Sequence, residues 1–309
     1  MIRRRVDPVL VVLYSFVMTK DELITYTQSS LQFIADNIDV ARGIVHVHIH
    51  AGKKVDRPRS AFVLCCLARA YACGIPLPET LTKENLIQVY NTIFNESKKH
   101  DTLRDRRFVE LYGMRFFEYL NEDYTPYVFS FMEGEYSDLY TYPVTLYTFI
   151  STWIMCPKLR DVYPFATSLY ATACTQMEYI LFSEEKNKYN AFHFAEVSLW
   201  QEHIPRHVYD RACSLVNTLF LRDVASVLSY TSAIAKNLEH FARVGDDAKF
   251  AQGMHFIRAR AIGTYSNYLN PNLIAYRDTV YVETKDSQYI CLDTSAHILQ
   301  AYINLYERA

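Results

Sequence analysis

The sequence predicts a mainly α protein: a two-lobed helical body with one short N-terminal strand and a C-terminal β-hairpin followed by a helix. Three observations carry this. Apolar residues recur at three- and four-residue spacings through most of the chain. Side chains suited to N-capping stand just before those runs. Glycine is scarce, at 8 of 309 residues, which leaves few tight turns for a many-stranded fold. Half of the residues are apolar, with 25 Tyr and 18 Phe, so a substantial core is available.

Taken in order, Val9 to Met18 is too short an apolar run to assign as strand or helix. Thr19 and Glu22 have capping-box spacing ahead of a helix that carries Leu23, Ile24, Leu31, Ile34 and Ile38. From Ile44 to His50, Val45, Val47 and Ile49 alternate with His46, His48 and His50, the period of a half-buried strand. Asp56 or Ser60 caps the next helix, and Gly74 stops it. Thr82 caps a helix with Leu86, Val89, Tyr90, Ile93 and Phe94 inward. A charged corner at 98–107 leads into an aromatic helix ending near Leu120.

The pattern weakens from Asn121 to Pro143, the expected seam between an N-terminal lobe (1–125) and a C-terminal lobe (126–309). Helices follow at 144–155 and 164–182, then a nearly unbroken helical block to Leu269. Within that block Asp246 or Asp247 starts a segment with Phe250, Met254, Ile257, Ala261, Tyr265 and Tyr268 on one face. Alternation about Lys285–Asp286 predicts a hairpin over 279–292, and Asp293 or Thr294 caps a last amphipathic helix through Ile298, Tyr302 and Leu305. No fixed-length repeat is present.

Cationic clusters supply the functional candidates. Lys53, Lys54, Arg57 and Arg59 run from the strand into the helix start at Ser60, where free backbone N–H groups and positive charge favour phosphate. This strand–loop–helix layout resembles the phosphate loop of cysteine-dependent dual-specificity phosphatases, in which a strand ends in His-Cys and the loop reaches an Arg and a Ser or Thr. Ile49 stands where the Cys would be, so the resemblance does not imply phosphatase activity. Arg104, Arg106 and Arg107 form a second cluster. Arg258 and Arg260, near Lys249 and a row of aromatics, form a third that suits a single-stranded backbone with stacked bases.

A helical, two-lobed, near-neutral and Tyr-rich chain is similar in general shape to viral nucleoproteins. That resemblance implies a non-enzymatic, homo-oligomeric protein that grips single-stranded RNA in a basic cleft between lobes, without cofactor or metal. Two other readings stand beside it: a helical structural or protein-interaction subunit, and a phosphate-handling or metal-dependent enzyme built on the His46–His50 strand and basic loop.

Other signals bound these readings. The net charge of −2 excludes a strongly basic nucleic-acid-binding tail but not a local cationic groove. There is no GxGxxG, GxxxxGK[ST] or GxSxG motif. His46, His48 and His50 have strand spacing for metal; further ligands would come from His193, Glu196, Glu202, His203 or His207, with Pro205 breaking the helical pairing. Glu133 and Glu135 are paired acids without a sugar-binding frame. Cys291, close to Asp293 and His297, is the thiol to test as a nucleophile. Seven cysteines without a CxxC pair suggest a reducing compartment such as the cytoplasm. The opening apolar run lacks a small-x-small cleavage site, and no run approaches a membrane span.

Overall fold

Two kinds of helix build this protein, those buried on every side and those buried along one stripe. The computed structural model describes residues 18–49, 55–133, 136, 143–183, 195–226, 229–264, 273–283 and 289–308. Among them are twelve α-helices: α1 (Lys20–Ala35), α2 (Arg57–Ala72), α3 (Lys83–His100), α4 (Leu103–Tyr119), α5 (Thr125–Met132), α6 (Pro143–Met155), α7 (Pro157–Val162), α8 (Pro164–Phe182), α9 (Arg206–Val224), α10 (Thr231–Val244), α11 (Asp247–Arg258) and α12 (Leu292–Arg308). The mainly α expectation is correct, and none of these helices is long and apolar enough to cross a membrane.

Burial sorts them. In α2 every residue from Ser60 to Ala70 is buried, in α6 every residue from Thr145 to Thr152, and in α12 every residue from Leu292 to Asn304. Such helices need neighbours all round. By contrast α3 buries one stripe, Leu86, Val89, Tyr90, Ile93, Phe94 and Ser97. The inner elements follow one another as α2, α4, α6, the 3₁₀ turn Val197–Trp200, α10 and α12, and α12 packs back on α2 to close a ring. Outside it, α1 covers α12, α3 covers α2 and α4, α5 covers α4, α8 covers α6, and α9 and α11 cover α10. The chain therefore alternates between inner and outer helices, an α/α toroid. The seam expected near residue 125 falls at the start of α5, and helices from both sides of it stand in the same ring.

Local chemistry fixes the element ends. Thr19 and Glu22 make the reciprocal capping box, and Asp56, Thr82, Thr102 and Asp246 accept backbone N–H groups at the starts of α2, α3, α4 and α11. Gly74 ends the α2 region with φ +71°, a left-handed conformation that favours glycine.

The strands are shorter than the alternation implies. Ile38–Asp39 (β1) pairs antiparallel with Ile44–Val45 (β2), in register Ile38 to Val45 and Asp39 to Ile44. Val45 and Val47 are buried while His46 and His48 are half-buried, so the two faces differ as expected. Past Val45 the chain meets the segment leading into α12 instead: Leu292 N–H donates to Val47 O at 2.8 Å and Ile49 N–H to Ile290 O at 3.2 Å. The expected hairpin behaves likewise. Its turn, 284–288, lies outside the described residues, but Glu283 N–H donates to Tyr289 O at 3.1 Å, and its first arm joins the segment after α11 through Val282 N–H to Arg260 O at 3.0 Å. These pairings interrupt the helical block expected to reach Leu269, of which residues 265–272 lie outside the described residues.

Gly113 measures how closely α5 approaches α4. A Cβ there would lie 2.5 Å from Cδ1 of Tyr127, whose ring also packs against Tyr90, Phe94 and Phe117. Gly113→Ala is expected to lower unfolding free energy by about 1–3 kcal/mol, read from urea denaturation, because an overpacked core moves the ring rather than absorbing the methyl.

Candidate functional site

The first turns of the inner helices surround a cavity of about 740 Å³ at one mouth of the ring. α2 contributes Arg57, Pro58, Arg59 and Phe62; α4 contributes Arg104, Asp105, Phe108 and Tyr112; α6 contributes Val144, Tyr147 and Thr148. Lys236 and Glu239 of α10, Asp293 and His297 of α12, and Ala195 and Glu196 before the 3₁₀ turn complete the wall, with His48, Val55, Asp56 and Asp101. Among the described residues the five inner helices point their N-termini toward this mouth, so their dipoles add positive potential there.

Charged side chains in the wall are interleaved. Arg59 spans two carboxylates, with Nη1 3.2 Å from Asp56 Oδ2 and Nε 3.4 Å from Asp293 Oδ2. It also donates to Nε2 of His48 at 3.4 Å, which leaves the other ring nitrogen, Nδ1, to bond the Tyr289 hydroxyl. Arg57 meets Asp101 at 2.5 Å and Arg104 meets Asp105 at 3.0 Å. Glu239 bonds Nδ1 of His297, whose ring lies 4.2 Å from that of Phe62. The Cys291 thiol donates to Asp293 Oδ1 at 2.5 Å.

Burial works to raise the pKa of Asp293, but the charges of Lys236, His297 and Arg59 outweigh it, and the carboxyl sits below its ordinary range. Glu196 is balanced the same way: burial opposes ionisation, while Arg115 and the Ser151 hydroxyl favour it and prevail. Cys291 is pushed far up, first by burial and then by Asp293, so it is a poor nucleophile.

Below the mouth the ring axis is polar. A void of about 10 Å³, room for one water, lies among Arg69, Arg115, Tyr119, Glu196, Glu239, Arg243, Gln300 and Asn304. These side chains come from polar stripes at helical spacing: Asp293, His297, Gln300 and Asn304 on α12, and Lys236, Glu239 and Arg243 on α10. The apolar pattern of these helices gives Lys236, Glu239, Arg243, Gln300 and Asn304 no role, and gives Asp293 and His297 only those of a cap and of neighbours to Cys291. The signal was present as charged residues recurring every three or four places inside helices otherwise too apolar to face water.

Of the ten cationic and hydroxyl candidates, the eight among the described residues do not all converge. Arg57, Arg59 and Arg104 reach the mouth. Ser60 is buried and its hydroxyl donates to Asp56 O at 2.7 Å. Arg106 and Arg107 turn toward α5: Arg106 bonds Glu110 at 2.7 Å and Ser130 Oγ at 2.7 Å, and Arg107, 1% exposed, pairs with Glu110 at 3.3 Å and the Phe131 carbonyl. Arg258 lies over the ring of Tyr26 and Arg260, also buried, over that of Phe256. Lys53 and Lys54 lie outside the described residues.

Of the metal candidates, His48 is engaged by Arg59 and Tyr289, His207 pairs with Glu178 at 2.7 Å, and His50 and His193 lie outside the described residues. Among the described residues Glu283, Cys291 and Asp293 bring possible ligand atoms within 4.8 Å of one another. Each is already bonded within the protein: Glu283 accepts from Thr294 and from Ser232 N–H, and Asp293 takes the thiol and Arg59.

Arg115 donates Nη2 to Glu196, while its Nε and Nη1 are buried without a protein partner. Glu196→Gln removes the countercharge of this cation and is expected to cost about 3–5 kcal/mol in chemical denaturation. Combining Arg115→Met with Glu196→Leu should cost less than Glu196→Gln alone.

No protein-family profile and no curated protein matches this chain. Solved structures do. The GH76A alpha-1,6-mannanase from Salegentibacter sp. HEL1_6 superposes with TM-score 0.61 at 10% identity, covering 93% of this chain and 100% of that one. An inactive variant of that enzyme, with two consecutive aspartates replaced by asparagine and alpha-1,6-mannotriose bound, gives TM-score 0.60 at 11% identity over 93% of this chain and 100% of that one. The fold is thus one that mannanases use. The expectation of a viral, nucleoprotein-like RNA binder with single-stranded RNA as partner is corrected on that finding: the neighbours bind mannooligosaccharides. The physical reason lies in the wall, where carboxylates neutralise the cations that were to grip phosphates and four of those arginines point elsewhere.

Proposed function

We propose that this chain is a carbohydrate-active protein whose ring mouth takes an oligosaccharide. The observation that carries the reading is the cavity itself: about 740 Å³, walled by Asp293, Glu239 and the rings of Phe62, Phe108, Tyr112 and Tyr147, in a fold shared with mannanases over 93% of the chain. Aromatic faces stack on the apolar faces of sugar rings, and carboxylates accept their hydroxyls. The dimensions suit a few sugar units.

Two groups suit glycosidic bond cleavage. Asp293, held ionised by Lys236, His297 and Arg59, is fitted to stabilise positive charge at an anomeric carbon or to activate water. Glu239 and His297 share a hydrogen bond and therefore a proton, which can pass to a leaving oxygen. A binding-only reading has its own support. The sequence contains one pair of consecutive aspartates, Asp246 and Asp247, and these sit at the α10–α11 junction, where Lys249 and Arg308 pair with them. They are beyond the C-terminus of α10, away from the mouth that its N-terminal turns line.

Calorimetry and product analysis with α-1,6-linked mannooligosaccharides separate these readings. Cleavage by the wild type, falling at least about 100-fold in kcat for Glu239→Gln and for Asp293→Asn, supports hydrolysis. Binding without cleavage, weakened by Phe108→Ala, supports recognition alone. Absence of binding across neutral and charged oligosaccharides would remove the carbohydrate reading.

The acid range gives a further check. Because the native pKa of Asp293 lies below its unfolded value, its ionisation stabilises the fold above an ordinary aspartate pKa of about 3.9 and ceases to do so as pH falls through the native value. The difference in melting temperature between the wild type and Asp293→Asn should be large at neutral pH and shrink on acidification.

A further inference from the structure

The charge pattern of the mouth narrows the kind of sugar it suits. A site for a neutral oligosaccharide needs carboxylates, hydroxyls and aromatic faces; four full cations, Arg57, Arg59, Arg104 and Lys236, are surplus to that need. Three of them are matched by an adjacent aspartate, Arg57 by Asp101, Arg59 by Asp56 and Asp293, and Arg104 by Asp105.

Lys236 differs. Its side chain is half-buried on the second turn of α10 and faces the cavity, yet it makes no ion pair or hydrogen bond among the described residues. Its charge does more than that of His297 or Arg59 to keep Asp293 ionised, but it acts across the cavity without an ion pair, while Arg59 at 3.4 Å and the Cys291 thiol at 2.5 Å take the two oxygens of that carboxylate. The remaining wall carboxylates are held elsewhere, Glu239 by His297 and Glu196 by Arg115. An ammonium kept in a cavity beside paired charges, with the helix N-termini adding positive potential, is placed to receive an anion.

We infer that the mouth selects an oligosaccharide bearing an acidic substituent, a carboxylate or a phosphate ester, and that Lys236 binds that oxyanion. The inference rests on the carbohydrate reading and adds the substrate class. Asp56, Asp101, Asp105, Glu196, Glu239 and Asp293 share the wall, and the alternation of their charges with the cations fixes where along the glycan the acid can lie. The anion goes to Lys236, and neighbouring hydroxyls go to the carboxylates.

Calorimetric titration decides it, using a neutral α-1,6-mannotetraose, the same length of chain carrying one 6-phosphate, and one carrying a 6-carboxylate. The wild type should bind at least one acidic form about tenfold or more tightly than the neutral one, with an advantage that shrinks as salt rises; the stronger arm tells phosphate from carboxylate. Lys236→Met should bring the acidic-to-neutral ratio near one, and Lys236→Arg should keep most of it, with circular dichroism and melting temperature reporting the fold of each. A wild-type ratio near one, or a ratio unchanged in Lys236→Met, overturns the inference while neutral binding leaves the carbohydrate reading standing. Binding to none of the three overturns both.

Discussion

Arg69 joins the first inner helix to the last. From α2 its guanidinium donates to Gln300 and, at 2.6 and 2.7 Å, to Asn304 and Glu307 of α12, more than 230 residues away in sequence. The side chain is 6% exposed, so removing these partners would leave a buried cation, and removing Arg69 would leave buried acceptors on α12. Asn304 also accepts from Arg243 and donates to the Glu239 carbonyl at 2.8 Å, which ties α10 into the same knot. A ring of helices has no edge only if its ends meet, and here they meet through a polar network that accepts one geometry.

That constraint determines where chemistry can occur. Inner helices running in parallel bring their N-termini to one mouth, and each contributes its first turns to the same cavity. Side chains three and four residues further along fill the axis below, so the cavity has a floor of Arg115, Glu196, Glu239 and Arg243 and is not a channel. Fixing α12 against α2 therefore also fixes Asp293 beside Arg59, and fixing α10 against α12 places Glu239 beside His297. Among the described residues the 3₁₀ turn at Val197–Trp200 stands on the remaining side of the ring, held by the Trp200 indole donating to Ser151 at 3.0 Å.

The helices were legible because their signals are local. Thr19 with Glu22, Thr82 and Asp246 cap where they were expected to, and Leu86, Val89, Tyr90, Ile93 and Phe94 all turn inward. The ring was not legible, since closure is a contact between the two ends of the chain and leaves no mark in any window of residues. The strand at 44–50 shows the limit: its alternation was read correctly, but its partner after Val45 is the approach to α12. For the site, counting cations found Arg57, Arg59 and Arg104, and the acids close by in sequence, Asp56, Asp101 and Asp105, count against those clusters as diluting charges, but that Arg59 also meets Asp293 from the other end of the chain is not visible locally. Asp293 stands in the sequence as a candidate cap and, with His297, as a neighbour of Cys291, whereas it lies inside α12 and the spacing of both with Gln300 and Asn304 describes a polar stripe with no solvent to face.

A shared fold at 10% identity leaves the mouth free to be rebuilt, and the placement of acids shows how. Here consecutive aspartates serve α11 as cap and ion-pair partner, and the acids of the mouth are dispersed over the starts of α2 and α4, α10, α12 and the segment before the 3₁₀ turn, all but Glu239 beside an arginine. Dispersal has a chemical consequence. A carboxylate flanked by arginine or lysine is held as an anion, and the pairing that differs in kind is that of Glu239, whose partner is the imidazole of His297 rather than a guanidinium or an ammonium. On the proposed carbohydrate reading the two roles meet on one helix: Glu239 and Lys236 stand one turn apart on α10, Glu239 bonded to His297 of α12 and Lys236 facing the cavity, so the distance between them sets how close a negative charge on the sugar would come to the Glu239–His297 pair.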